Sequence, residues 1–169
     1  MRERKLTTKQ IETILIAYRF RFITTINLAR HRKITHNSAY SALEILTDIG
    51  FLGRKHNKNY RLQNKPASYY LKPQAITYLN KSVLDVDKEV LKSRFREHTK
   101  SADFVDQQIA IHEAYLDLRQ KLGDSANIIT GTELAGIEGM IKPVPSLFVK
   151  PNNSYSYFVE LTDGQHLFI

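Results

Sequence analysis

Asn37, Tyr40 and Ser41 stand three and four residues apart. On an α-helix that spacing places them on one face. Each side chain can donate or accept a hydrogen bond, and base-pair edges in the DNA major groove present a readable pattern of donors and acceptors. An asparagine amide matches adenine, and a tyrosine ring can touch a thymine methyl or bond a phosphate. His36 and Ser38 lie beside them at the helix start, the part of such a helix that usually reaches bases. Glu44, on the same face, fits less well: it would accept from cytosine or lie beyond the duplex. The plainer reading of this face is a set of polar residues in contact with water.

A second group is cationic. Arg54, Lys55, Lys58 and Arg61, with His56 among them, crowd one short stretch, and Arg30, Arg32 and Lys33 precede the polar face. Like charges at this density repel, so they make most sense opposite phosphates, where each neutralised phosphate releases counterions. The plainer alternative is a Lys-rich strand edge that resists aggregation. Charge along the whole chain follows the same division. Residues 1–81 hold 16 Lys/Arg against 4 Asp/Glu, and residues 82–169 hold 9 against 13, so a basic half is joined to an acidic one. The basic half is the candidate for a polyanionic partner.

These groups need elements to position them. Thr7-Thr8-Lys9-Gln10 has the form of a capping box, and Ile11, Ile14, Leu15, Tyr18 and Phe22 recur behind it at helical spacing, predicting a first helix over 8–20. A Thr24 cap opens a second short helix with Ile26, Leu28 and Ala29, and residues 31–34 make a turn. A third helix starts near Thr35 or His36. Its Ala39, Ala42, Leu43, Leu46 and Ile49 form the buried stripe, Asn37, Tyr40, Ser41 and Glu44 the opposite face, and Gly50 its end. Phe51–Lys55 reads as a strand, residues 56–59 as a turn, and the stretch through Tyr69, Tyr70 and Leu71 as the return strand. Pro73 suits the first position of a fourth helix over 73–81.

Beyond it, residues 82–101 read as a charged, partly helical linker, and 102–122 as a long helix with a wide apolar face. That face suits either a second subunit or the core of a following module. Residues 127–131 are strand-like, 146–150 and 155–161 form a hairpin pattern, and Asp163-Gly164 signals a further tight turn before a short strand. The expected organisation is a DNA-binding domain over 1–81, a linker over 82–101, and a helix with a small β-containing module over 102–169. The expected fold class is α+β: an N-terminal winged helix-turn-helix, a long helix and a small αβ module.

The segment "TTINLARHRKITHNSAYSALEILTDIGFLGRK" (24–55) resembles the winged-helix core of the multiple-antibiotic-resistance regulators. "NKPASYYLKPQAITYL" (64–79), a tyrosine-rich return strand followed by Leu-x-Pro-x-Ala, is similar to the replication-relaxation family of plasmid and mobile-element proteins. "QIAIHEAYLDLRQKL" (108–122) and "VPSLFVKPNNSYSYFVEL" (144–161) resemble that family's downstream helix and its restriction-endonuclease-like core, here in a degenerate or truncated form. The resemblance implies sequence-specific binding of double-stranded DNA, in the regulation of replication, transfer or expression of a mobile element. It also departs from the family: Ser146 stands at the acidic position, Glu160-Leu161-Thr162 lacks the lysine or aspartate, and Lys72 replaces a threonine cap. A chromosomal transcription regulator, a degenerate nuclease and a protein-interaction module are the rival readings.

The chain has no cysteine, which excludes disulfides, cysteine-ligated zinc and cysteine nucleophiles. No apolar run approaches the ~18 residues of a membrane span, and no secretory signal is visible. A reducing, cytoplasmic setting is expected, with no membrane partner. A nuclease would need paired carboxylates for Mg²⁺ and a lysine to help position water. Glu133, Glu138 and Glu160 are present without that aspartate and lysine, so no enzyme activity, metal or cofactor is expected. His112 is expected to be packed. The expected partners are double-stranded DNA, a second copy of the chain in a homodimer, and a protein of the replication or transfer machinery.

Overall fold

A computed structural model describes residues 5–56, 64–162 and 165–168, and its first helix begins where the capping chemistry places it. Helix α1 (Thr8–Phe20) is closed by the Thr7 hydroxyl accepting from the Gln10 amide and the Gln10 side chain accepting from Thr7 N–H. Strand β1 (Ile23–Thr24) leads into α2 (Thr25–Arg32), capped by Thr24. Helix α3 (His36–Asp48) is capped by Thr35. It ends at Gly50, whose φ of 82° is a conformation that glycine adopts without steric cost.

Strand β2 (Leu52–Lys55) pairs antiparallel with β3 (Ser68–Leu71), and β1 adds to the far side of β3. A Cβ at Gly53 would lie 2.4 Å from the Tyr70 ring, so any larger residue there would displace that ring. Helix α4 (Pro73–Lys81) starts on its proline. Leu43 and Leu46 of α3, Ile14 and Ala17 of α1, Leu28 of α2, Leu52 and Leu71 of the sheet, and Ile76 and Leu79 of α4 are buried in one cluster. Each such leucine or isoleucine contributes roughly 1.5–3 kcal/mol relative to exposure.

The same cluster continues into the second half through Leu91, Tyr115, Leu147, Val149, Val159 and Leu161. Residues 82–101, expected as a linker, are packed into the molecule. They form α5 (Lys88–Lys92) and a 3₁₀ segment (Ser93–Thr99), with Leu91, Arg94 and Glu97 buried. Tyr18 receives the Asp87 N–H at 3.1 Å, and Arg21 donates through Nε and Nη2 to Glu97 Oε1 at 3.1 and 2.7 Å. The stretch is partly helical as expected, but Leu91 and the pairing of Arg21 with the buried Glu97 draw it inward.

Helix α6 (Ala102–Leu122) buries Val105, His112, Ala114, Tyr115 and Leu116, and it packs on α1, α2 and a later strand. Of the two uses foreseen for its apolar face, this chain shows the core. The remaining elements are β4 (Asn127–Thr130), α7 (Gly131–Ala135), β5 (Leu147–Lys150), β6 (Tyr157–Thr162) and β7 (Gln165–Phe168). They form an antiparallel sheet in the order β4-β5-β6-β7. The expected hairpin is present, with Leu147 opposite Val159, and β7 is a short strand paired to β6, while the turn expected at Asp163-Gly164 lies outside the described residues. The chain is thus α+β, with two small sheets.

Candidate nucleic-acid interface

Helix α3 separates its residues by face. Ala39, Leu43 and Leu46 are buried, while His36, Asn37, Ser38, Tyr40 and Ser41 are exposed. Tyr40 is 44% exposed, a large amphipathic side chain held at the surface. Ser38 also belongs to the helix cap: its amide donates to Thr35 Oγ1 at 3.2 Å, and the Thr35 hydroxyl donates to Ser38 Oγ at 2.9 Å.

Glu44 joins this helix to the sheet. Tyr69, in β3, donates its hydroxyl to Glu44 Oε1 at 2.9 Å, and Arg54 is the residue opposite Tyr69 across the β2–β3 ladder. Burial raises the Tyr69 hydroxyl above its usual range, and the Glu44 hydrogen bond and charge raise it further. Arg54 opposes that shift and Tyr40 adds to it, so both groups lie near the same hydroxyl. Arg54 is exposed. Glu44 of α3, Tyr69 of β3 and Arg54 of β2 therefore lie close together, and Arg54 is exposed, as are Asn37, Tyr40 and Ser41.

The other cations expected at this surface are placed differently. Lys55 turns inward: its ammonium donates to the Lys100 carbonyl and sits 5.9 Å from the Phe22 ring centroid. Burial lowers its pKa, with Glu97 opposing. Alternation along β2 explains the contrast with Arg54, since successive side chains point to opposite faces. Arg32 is 13% exposed, donates to Thr13 Oγ1 at 3.2 Å and lies 3.7 Å from Glu12. Arg30 pairs with Asp117 of α6 at 2.7 Å, and Lys33 approaches Asp124 at 3.8 Å. Exposed pairs of this kind contribute roughly 0–1 kcal/mol, so a phosphate can compete for Arg30 and Lys33, whereas Arg32 is packed against α1. His56 is exposed at the end of β2. Lys58 and Arg61 lie outside the described residues.

The second half brings Ser146 and Glu160 together. The Ser146 amide donates to Glu160 Oε2 at 3.2 Å and its hydroxyl to Oε1 at 3.1 Å. Glu133 is engaged by Arg19 at 3.0 Å and reaches back to the Thr130 amide at 2.7 Å. Among the described residues no group of three or more His, Asp or Glu side chains is arranged to hold a metal ion.

Two features escape sequence reading. His31 of α2 and His112 of α6 meet with Nδ1 and Nε2 3.0 Å apart, and Phe20 stacks on His112 at 3.9 Å. Burial, reinforced by Arg19 and Arg119, lowers His31 to about 4; burial, then His31 and the arginines Arg19 and Arg30, lowers His112 as well. No His-x-x-x-His spacing announces this pair, because 81 residues separate its members. The second feature is a cleft of about 500 Å³ between α1, the 3₁₀ segment and the second sheet, lined by arginines from separate elements.

No protein-family model matches the chain, and no curated protein matches it. Among solved structures, the crystal structure of T. acidophilum IdeR aligns over 99% of this chain and 94% of that one, at 13% identity and a TM-score of 0.32. A likeness at that level carries no argument about this chain.

Proposed function

We propose that this chain is a non-enzymatic protein that binds double-stranded DNA in a sequence-specific way. Residues 1–81 act as a winged helix-turn-helix, with α2 and α3 as the helical pair and β2–β3 as the stem of the wing. Helix α3 enters the major groove. Asn37, Tyr40 and Ser41 contact base edges, His36 and Ser38 lie at the leading end of the helix, and Arg54 contacts the adjacent backbone. Arg30 and Lys33 join as phosphate contacts by releasing their surface partners.

The observation that carries the reading is the Tyr69–Glu44 hydrogen bond, which joins α3 to the sheet beside the exposed Arg54. It also gives Glu44 a place, since its carboxylate accepts from the Tyr69 hydroxyl. The Ser146–Glu160 contact favours a binding role over a nuclease, since a serine and not a second carboxylate stands beside Glu160.

The resemblance of residues 24–79 to the replication-relaxation family extends the proposal to control of replication, transfer or expression of a mobile element. Binding as a homodimer to a twofold site belongs to the same proposal. The face of α6 is used inside the chain, so a dimer would form through another surface. The test is to recover the fragments that the full chain retains from its host's DNA and to sequence them. A recurrent motif near a plasmid or element origin supports the reading, and a motif in chromosomal promoters favours a transcription regulator. Fragments without any common motif contradict sequence-specific binding.

A further inference from the structure

The cleft between α1, the 3₁₀ segment and the second sheet is lined by three guanidinium groups, from Arg19, Arg21 and Arg94. Two of them have a carboxylate partner: Arg19 pairs with Glu133 at 3.0 Å, and Arg21 with Glu97 at 2.7 Å. Arg94 differs. It is 4% exposed, donates through Nη1 to Ser93 Oγ at 3.1 Å and through Nη2 to Thr132 Oγ1 at 2.8 Å, and its buried Nε has no hydrogen-bond partner among the described residues. Its guanidinium lies 5.8 Å from the Tyr18 ring centroid. Burial lowers its pKa to about 10, with Arg21 adding to the shift and Glu97 opposing it. Glu97 is the carboxylate that stabilises its charge, yet no hydrogen bond joins the two, and the buried cation keeps an unsatisfied donor at Nε.

The cleft also contains two carboxylates, and both are engaged. Glu160 accepts from Ser146 on each oxygen, and Glu89 pairs with Lys92 at 2.6 Å. Beside them the cleft is lined by the hydroxyl residues Ser93, Thr130 and Thr132 and the amide residues Gln107 and Gln108, which can donate to an oxyanion. We propose that this cleft is a binding site for a small molecule bearing a carboxylate or phosphate group, seated against Arg94. Such a ligand would touch α1, the 3₁₀ segment and the second sheet together, and so brace the two halves of the chain against each other. The inference does not depend on DNA binding.

A water shared by Arg94 Nε and the orphaned Oε2 of Glu97 would satisfy both atoms and leave no need for an anion. Calorimetric titration of the full chain separates the two accounts, with inorganic phosphate in one arm and succinate in the other, each against sodium chloride at matched ionic strength. The expected result is saturable one-to-one binding in at least one arm, which also identifies the preferred anion. Arg94→Gln should weaken it at least tenfold. Gln108→Trp, which fills the cleft from α6 without touching the Arg94 hydrogen bonds, should weaken it as well and keeps the test intact if Arg94→Gln does not fold. The Arg94 Nε–H resonance should shift with the same saturation. No saturable binding in either arm, or binding that survives in whichever of these variants folds, would overturn the proposal and leave Arg94 as a tie between the 3₁₀ segment and Thr132.

Discussion

At the scale of single residues, Asn37 is the sharpest test of base reading. Replacing it with alanine should cost roughly 1–3 kcal/mol on the recovered site and little on random duplex, measured by fluorescence anisotropy. Equal losses on both DNAs would mean that Asn37 reads no base. The buried histidines make a separate prediction about stability. His31 is held near 4 and His112 is also lowered, so the unfolded chain binds more protons than the folded one as pH falls below the ordinary histidine value of about 6.5. Their contribution is thus complete above about pH 6.5 and is lost as pH falls toward 4. His31→Gln should flatten the dependence of thermal stability on pH across that window; an unchanged profile would show that the pair does not titrate on unfolding. The outward residues of α3 were legible from their spacing alone. The fates of Arg30, Arg32 and Lys55 were not, because Asp117, Glu12 and the Lys100 carbonyl come from other elements and nothing in the local sequence announces them.

At the scale of elements, capping chemistry carried most of the information. Thr7 with Gln10, Thr24, Thr35, Gly50 and Pro73 mark helix boundaries that the structure keeps, because each acts on the backbone within a few residues. Helix α7 has no sequence-based expectation, although Thr130 and Glu133 stand at capping-box spacing; at 5 residues it is too short to show a helical apolar period. The β2–β3 pair depends on the close approach of Gly53 to Tyr70. Gly53→Ala should destabilise the chain by about 1–3 kcal/mol through overpacking, with Gly53→Ala/Tyr70→Ala recovering part of that loss in denaturant unfolding. If the single substitution is neutral, the contact between the two residues does not set the strand geometry.

At the scale of the whole molecule, the two halves form one core, which the charge asymmetry of the sequence did not foretell. Composition separates a basic half from an acidic one, but burial joins them through Leu91, Tyr115 and the Arg21–Glu97 pair. Glu97 is 1% exposed, so Arg21→Ala should leave a buried carboxylate unpaired and cost roughly 3–5 kcal/mol, seen as a lower midpoint in urea. A loss below 1 kcal/mol would show that solvent reaches Glu97. The same architecture packs α3 against β2 with Arg54 and the outward residues of α3 exposed, and that pairing is the centre of the functional account. Its most direct test is the affinity of the full chain and of Arg54→Ala for a recovered duplex, measured across a series of salt concentrations. The account predicts a linear fall of log K with log salt, shallower by about one unit in the variant. A flat response, or the same slope in both proteins, would contradict it.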